Sequence, residues 1–169
     1  MEATQPYENF PLTTVIQSNF VSLANDALGF LIILKLGLTF ALLFLLYLLV
    51  LEYRLLRGCT NCFYWGRICG FGKGRISALF FKKGDPAKFC ERQITWRYLI
   101  PDLLVSLIPL AAGFILLILE FNVLLLSAMI LIVLFTTAGN NYIRGKLTCS
   151  FCRQRELGCP AYALFNKGK

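Results

Sequence analysis

Two long apolar blocks dominate the chain, with polar and basic segments between and after them. The first covers 27–51, ALGFLIILKLGLTFALLFLLYLLVL, and Lys35 is its one charge. A hydrocarbon core about 30 Å thick takes roughly 20 helical residues, so this block predicts a spanning helix. Lys35, near one end, can extend its ammonium to the interface, and Tyr53, Arg54 and Arg57 follow as anchors. The second block, from Tyr98 to Ala138, is about twice the length one crossing needs. Its one polar break is Glu120-Phe121-Asn122, which predicts helices over 98–119 and 122–139 joined by a tight turn. Ahead of the first block, Leu12, Val15, Ile16, Phe20, Leu23 and Ala27 recur at helical spacing. That amphipathic face is expected to lie in the outer interface or to extend the first span.

The pattern therefore predicts an all-α integral membrane protein with three transmembrane helices. A polar N-terminal segment, 1–26, precedes them. A loop, 52–97, and a tail, 140–169, form a small cysteine-rich subdomain. Composition agrees: 57% of residues are apolar, above the 45–50% usual for soluble domains.

Charge adds an orientation. Residues 1–26 carry Glu2, Glu8 and Asp26 and no Lys or Arg. The loop carries ten Lys or Arg against three acids, and the tail six against one. Three spans put loop and tail on one side, and their basic character marks that side as cytoplasmic, leaving the N-terminus outside. The net charge of +8 is thus accounted for by membrane topology, and no nucleic-acid partner is expected. No nucleotide is expected either. Gly70-Phe-Gly-Lys-Gly74 follows no predicted strand and lacks the Gly-Lys-Ser/Thr ending of a phosphate loop.

With no histidine, the usual general base, proton switch and commonest metal ligand are all missing. Cysteine carries the candidate chemistry. Cys59-Thr-Asn-Cys62 is followed after six residues by Cys69, and Cys149-Ser-Phe-Cys152 after six residues by Cys159. The likeness continues in Ala78-Leu79-Phe80-Phe81-Lys82-Lys83-Gly84 and Ala163-Leu164-Phe165-Asn166-Lys167-Gly168. A duplicated unit of spanning helix, cysteine cluster and short basic segment is the simplest account.

A C-x2-C pair presents two thiolates to one tetrahedral metal from a tight turn, with backbone amides steadying the sulfur charge. Cys59, Cys62, Cys149 and Cys152 have the arrangement of a zinc ribbon's two pairs. Cys59, Cys62, Cys69 and Cys90 would serve an iron–sulfur cluster within the loop, leaving Cys149, Cys152 and Cys159 in the tail without an obvious fourth. Arg57, Arg67, Arg153 and Arg155 lie within a few residues and would favour thiolates. Disulfides are disfavoured on a cytoplasmic face, and juxtamembrane acylation does not require the repeated spacing.

The basic, aromatic run from Arg75 to Lys83 is expected to be a surface helix whose Leu79, Phe80 and Phe81 dip among lipid headgroups. Arg75, Lys82, Lys83 and Lys167 would meet anionic lipid, at about 1 kcal/mol each. The second and third spans hold no ionisable residue between their ends, which makes a poor transport pathway, and Lys35 would be the residue to watch in an oligomer.

The expectation is an accessory or interaction subunit of a membrane complex, anchored in the bilayer and holding zinc or an iron–sulfur cluster through cysteine. No catalytic residue stands out. The alternatives are a thiol oxidoreductase cycling a C-x2-C pair and a lipid-binding or S-acylated scaffold.

Overall fold

One glycine reshapes the first apolar block. The computed structural model describes residues 5–90, 95–159 and 161–162. It places helix α1 at Leu12–Leu34 and helix α2 at Leu38–Gly58, with Gly37 between them at φ 131°. The last turn of α1 is closed by Lys35 N–H to the Ile32 carbonyl and Leu36 N–H to that of Ile33, at 3.2 and 2.9 Å. The Gly37 carbonyl then accepts from Ala41 N–H at 3.2 Å, opening α2. A residue with a Cβ is strained at such a φ, so glycine allows the chain to turn here. The single span expected over 27–51 is therefore corrected to parts of two helices. The amphipathic stretch at 12–28 is the first part of α1, and Lys35 stands exposed at the turn.

The second block divides where its polar break foretold. Helix α5 covers Trp96–Leu119 and helix α6 Val123–Leu134. Asn122 caps α6, its side-chain oxygen accepting from the N–H groups of Leu124 and Leu125 at 2.9 and 3.3 Å. That gives the turn, which has neither Gly nor Pro, a signal that starts the next helix. Beyond α6 the helical path widens into π-type turns at Phe135–Gly139 and Tyr142–Thr148 and ends in a tighter turn at Cys149–Phe151. Among the described residues four helical stretches are long and apolar enough to cross a membrane: Leu12–Leu34, Leu38–Asn61, Trp96–Leu119 and Val123–Phe151. The protein is all-α and of the membrane class, and three is not the number of spans its helices support.

The chain forms two compact units. One takes Phe20–Glu52 and Thr95–Gly139. Ile32, Ile33, Ala41, Phe44, Ala112, Leu125 and Ile132 make its core. Close helix contact relies on small residues, as expected where lipid gives no hydrophobic drive for helices to associate. A Cβ on Gly113 would come within 2.8 Å of the Met129 sulfur. Asn25, Ser106 and Thr136 join three helical segments in a polar ring, with the two hydroxyl oxygens 2.7 Å apart. Leu46, Leu49, Phe114, Ile118 and Leu124 face outwards, in keeping with lipid as the solvent.

The other unit takes the described residues within 1–19, 53–94 and 140–169. Its short helices are α3, Lys73–Phe80, and α4, Pro86–Cys90. Residues 5–10 run through it: Tyr7 N–H donates to the Phe151 carbonyl and Phe10 N–H to that of Ile68, both at 2.9 Å. These bonds hold the N-terminal segment against the loop and the tail within this unit.

Candidate metal centre

The two C-x2-C segments take up the same local shape. In the first, α2 runs into a 3-10 turn at Cys59–Asn61, and Cys62 N–H donates to the Cys59 carbonyl at 3.1 Å. In the second, the turn is Cys149–Phe151, and Cys152 N–H donates to the Cys149 carbonyl at 3.3 Å. Cys62 and Cys152 are both extended, at φ, ψ of −86°, 148° and −81°, 124°. Their carbonyls accept from Trp65 and Arg155 at 3.0 and 3.2 Å. The amide of the second residue on, Tyr64 or Gln154, hydrogen-bonds to the cysteine sulfur in each. The chain thus turns around each sulfur and directs an amide proton at it.

The two turns are also tied to each other, reciprocally. Phe63 N–H, one residue past Cys62, donates to the Gln154 side-chain oxygen at 2.7 Å. Arg153 N–H, one residue past Cys152, donates to the Tyr64 hydroxyl at 3.0 Å. Tyr64 and Gln154 occupy the same offset in their segments, and each is 1% exposed. Buried polar groups cost free energy unless they are paired, so these two side chains are specific connectors rather than incidental neighbours.

The N-terminal segment closes over this junction. The Tyr64 hydroxyl donates to the Tyr7 carbonyl at 2.5 Å. Tyr7 stacks on Phe151 with ring centres 5.0 Å apart, and buried Phe10 packs against Tyr7 and Tyr64. Glu8 pairs with Arg153 at 2.8 Å. The glycine-rich stretch after Cys69 packs closely and is no loose turn. Gly74 lies so near the Tyr64 carbonyl that a Cβ there would collide with it.

Of Cys59, Cys62, Cys69, Cys149, Cys152 and Cys159, Cys62 feels the charges of Cys59, Cys69 and Cys159, and Cys152 those of Cys62, Cys159 and Cys149. All six are half-buried thiols outside any disulfide. Burial is the main force on the Cys62 thiol, pushing it up from 9 to about 12, and the sulfurs of Cys59, Cys69 and Cys159 add to it. Cys152 is likewise pushed up to about 12 by burial, with additions from Cys62, Cys159 and Cys149. In both, the opposing influence is the backbone amide at the sulfur. Among the described residues no three His, Cys, Asp or Glu side chains are drawn closely enough together to hold a metal ion. The described sulfurs sit half-buried on paired tight turns, but as arranged they do not form a metal-holding set.

The remaining expected residues are distributed as follows. Cys90 ends α4, and its side chain lies outside the described residues, as does Lys167. The tail stretch compared with 78–84, residues 163–168, also lies outside them. Arg67 and Arg153 lie over the Phe63 ring at 4.8 and 5.3 Å, and Arg155 hydrogen-bonds to the Ser150 carbonyl. In α3, Gly74 and Ser77 are buried, while Arg75, Ile76, Leu79 and Phe80 are exposed, as are Lys82 and Lys83 beyond it. Half-buried Phe81 packs on Tyr53, and its backbone carbonyl accepts from the Trp65 indole N–H at 3.2 Å.

Sequence reasoning missed Tyr64, Gln154, Tyr7 and Phe10. The shared offset of Tyr64 and Gln154 behind each C-x2-C pair was the available signal. No protein-family model, curated protein or solved structure matches the chain.

Proposed function

We propose that the protein is a membrane-anchored, cysteine-ligated metal module that serves as an accessory or interaction subunit of a larger membrane complex. The observation that carries this reading is the reciprocal pair of hydrogen bonds joining the cysteine turns of loop and tail. It supports a site assembled from both segments over a cluster confined to the loop. A metal would cross-link two stretches too short to build a core alone, converting binding energy into folding energy. Zinc would make the module structural, and iron–sulfur would make it an electron carrier.

The topology goes with it. Four spans bring both ends of the chain to one side of the membrane, together with the loop between α2 and α5. The basic loop and tail argue that this side is the cytoplasm, where thiols stay reduced. The turn at 35–37 and the break at 120–122 would then face outwards. Arg75, Lys82 and Lys83, beside exposed Leu79 and Phe80, suit contact with anionic headgroups.

The thiol-oxidoreductase alternative needs an attacking thiolate, and burial of Cys62 and Cys152 works against one. The test is substitution. Cys59→Ser and Cys152→Ser are expected to release metal and loosen the cysteine unit while membrane insertion persists. Unchanged metal content in both variants would defeat the proposal.

A further inference from the structure

Helix α3 has two unlike faces, and the buried one is fastened to the first cysteine turn. We propose that its outer face docks on an anionic bilayer surface and that docking steadies the Cys59–Cys62 turn. This deepens the headgroup contact into a coupling. It rests on the reading of α2 as a membrane span and requires no metal.

The outer face has the composition of an interfacial helix. At about 100° per residue, Leu79, Ile76 and Phe80 fall within one sector about 100° wide. They are 78%, 44% and 72% exposed, so this apolar strip is open to whatever lies outside it. Arg75 is exposed at one edge of the strip, and Lys82 and Lys83 are exposed just beyond the helix. Apolar side chains bordered by cations suit a bilayer with anionic headgroups. The former enter the acyl boundary while the charges stay at the phosphates.

Where α3 is held selects lipid as the occupant. The hydroxyl of fully buried Ser77 donates to the Leu56 carbonyl at 2.8 Å. Phe81, just past α3, packs on Tyr53 with ring centres 5.6 Å apart. Tyr53 and Leu56 belong to the last turns of α2, beside Arg54 and Arg57. A helix tied there lies level with the end of a span, at the depth of the headgroups.

The inner face carries the coupling. Gly74 lies against the Tyr64 carbonyl, and its own carbonyl accepts from Gly66 N–H at 3.0 Å. Past the helix, Gly84 N–H donates to the Thr60 carbonyl at 2.9 Å, and Asp85 N–H to the Asn61 side-chain oxygen at 3.1 Å. Thr60 and Asn61 are the residues between Cys59 and Cys62. Helix α3 and its exit thus hold the chain on both sides of Cys62. Lipid that binds the ordered form of α3 therefore draws this turn away from its opened form.

The experiment is hydrogen exchange by mass spectrometry on the full chain in nanodiscs, made of phosphatidylcholine alone or with phosphatidylglycerol added. Anionic discs are expected to slow exchange over 73–85 and 59–66 together. The slowing should be at least about fivefold, the factor one basic residue supplies at an anionic surface. Arg75→Gln combined with Lys82→Gln and Lys83→Gln should abolish the difference in both stretches. These side chains are exposed, and unchanged exchange in α5 verifies that the variant folds. Equal exchange of the wild-type chain in the two discs would overturn the proposal, and would leave the face to a protein partner. Slowing over 73–85 alone, or slowing that survives in the variant, would overturn it too. A chain that does not enter nanodiscs would defeat the membrane anchoring as well, whereas metal content, measured separately, decides the metal module.

Discussion

The N–H of Arg153 meets the hydroxyl of Tyr64 at 3.0 Å, joining residues 89 apart in the chain. The same hydroxyl donates its proton to the Tyr7 carbonyl. One oxygen therefore holds together the N-terminal segment, the loop and the tail.

Tyr64→Phe removes that oxygen and leaves a backbone donor and acceptor unsatisfied in a buried place. Stranding such groups costs about 1–3 kcal/mol. The variant should unfold its cysteine unit at a lower temperature and bind metal more weakly, with membrane insertion intact. Thermal unfolding in detergent checks this, and an unchanged midpoint would show that the junction carries no stability.

The cysteines give the metal-free protein a specific pH dependence. Burial raises Cys62 and Cys152 from 9 to about 12, so the folded chain holds these protons more tightly than the unfolded one. The stability this provides is fully present below about pH 9 and is lost as pH rises towards 12. Chelator-treated protein should therefore weaken across that window, and its two thiols should alkylate slowly at neutral pH. Metal-loaded protein should not show the same decline, because its sulfurs are already deprotonated. Denaturation at a series of pH values, with and without chelator, makes the comparison.

Gly37 is the hinge of the first helical pair. At φ 131° a side chain is strained, and such strain costs about 1–3 kcal/mol. Gly37→Val should destabilise the turn between α1 and α2, lowering the detergent melting temperature without altering metal content. A neutral result would mean that the helices join differently.

Topology can be read by chemical labelling. In a chain whose native cysteines are replaced, Lys35→Cys should react with a membrane-impermeant maleimide on intact cells. Gln5→Cys should react only after the cells are broken. Labelling of Gln5→Cys from outside would restore the three-span arrangement.

The physical reasons for what the sequence disclosed differ between regions. The second apolar block announced its break because Glu120 and Asn122 are costly inside a membrane and Asn122 can cap a helix. The first block hid its break. A lone glycine among leucines is compatible with an unbroken helix, and only its backbone conformation marks Gly37 as a turn. The polar residues of 12–26 obscured α1 further, since Asn25 meets its partners Ser106 and Thr136 only in the folded unit. At the candidate site, spacing alone singled out the cysteines. The connectors Tyr64 and Gln154 were not legible, because spacing within one segment does not tell which side chain reaches the other.

The most direct test of the metal module is anaerobic purification in detergent, with elemental analysis and an absorption spectrum taken on one sample. Metal should be present in fixed ratio to protein, colourless if zinc and with broad visible absorption if iron–sulfur. Protein that is folded and free of bound metal would contradict the account and leave thiol chemistry or lipidation as the role of the six cysteines.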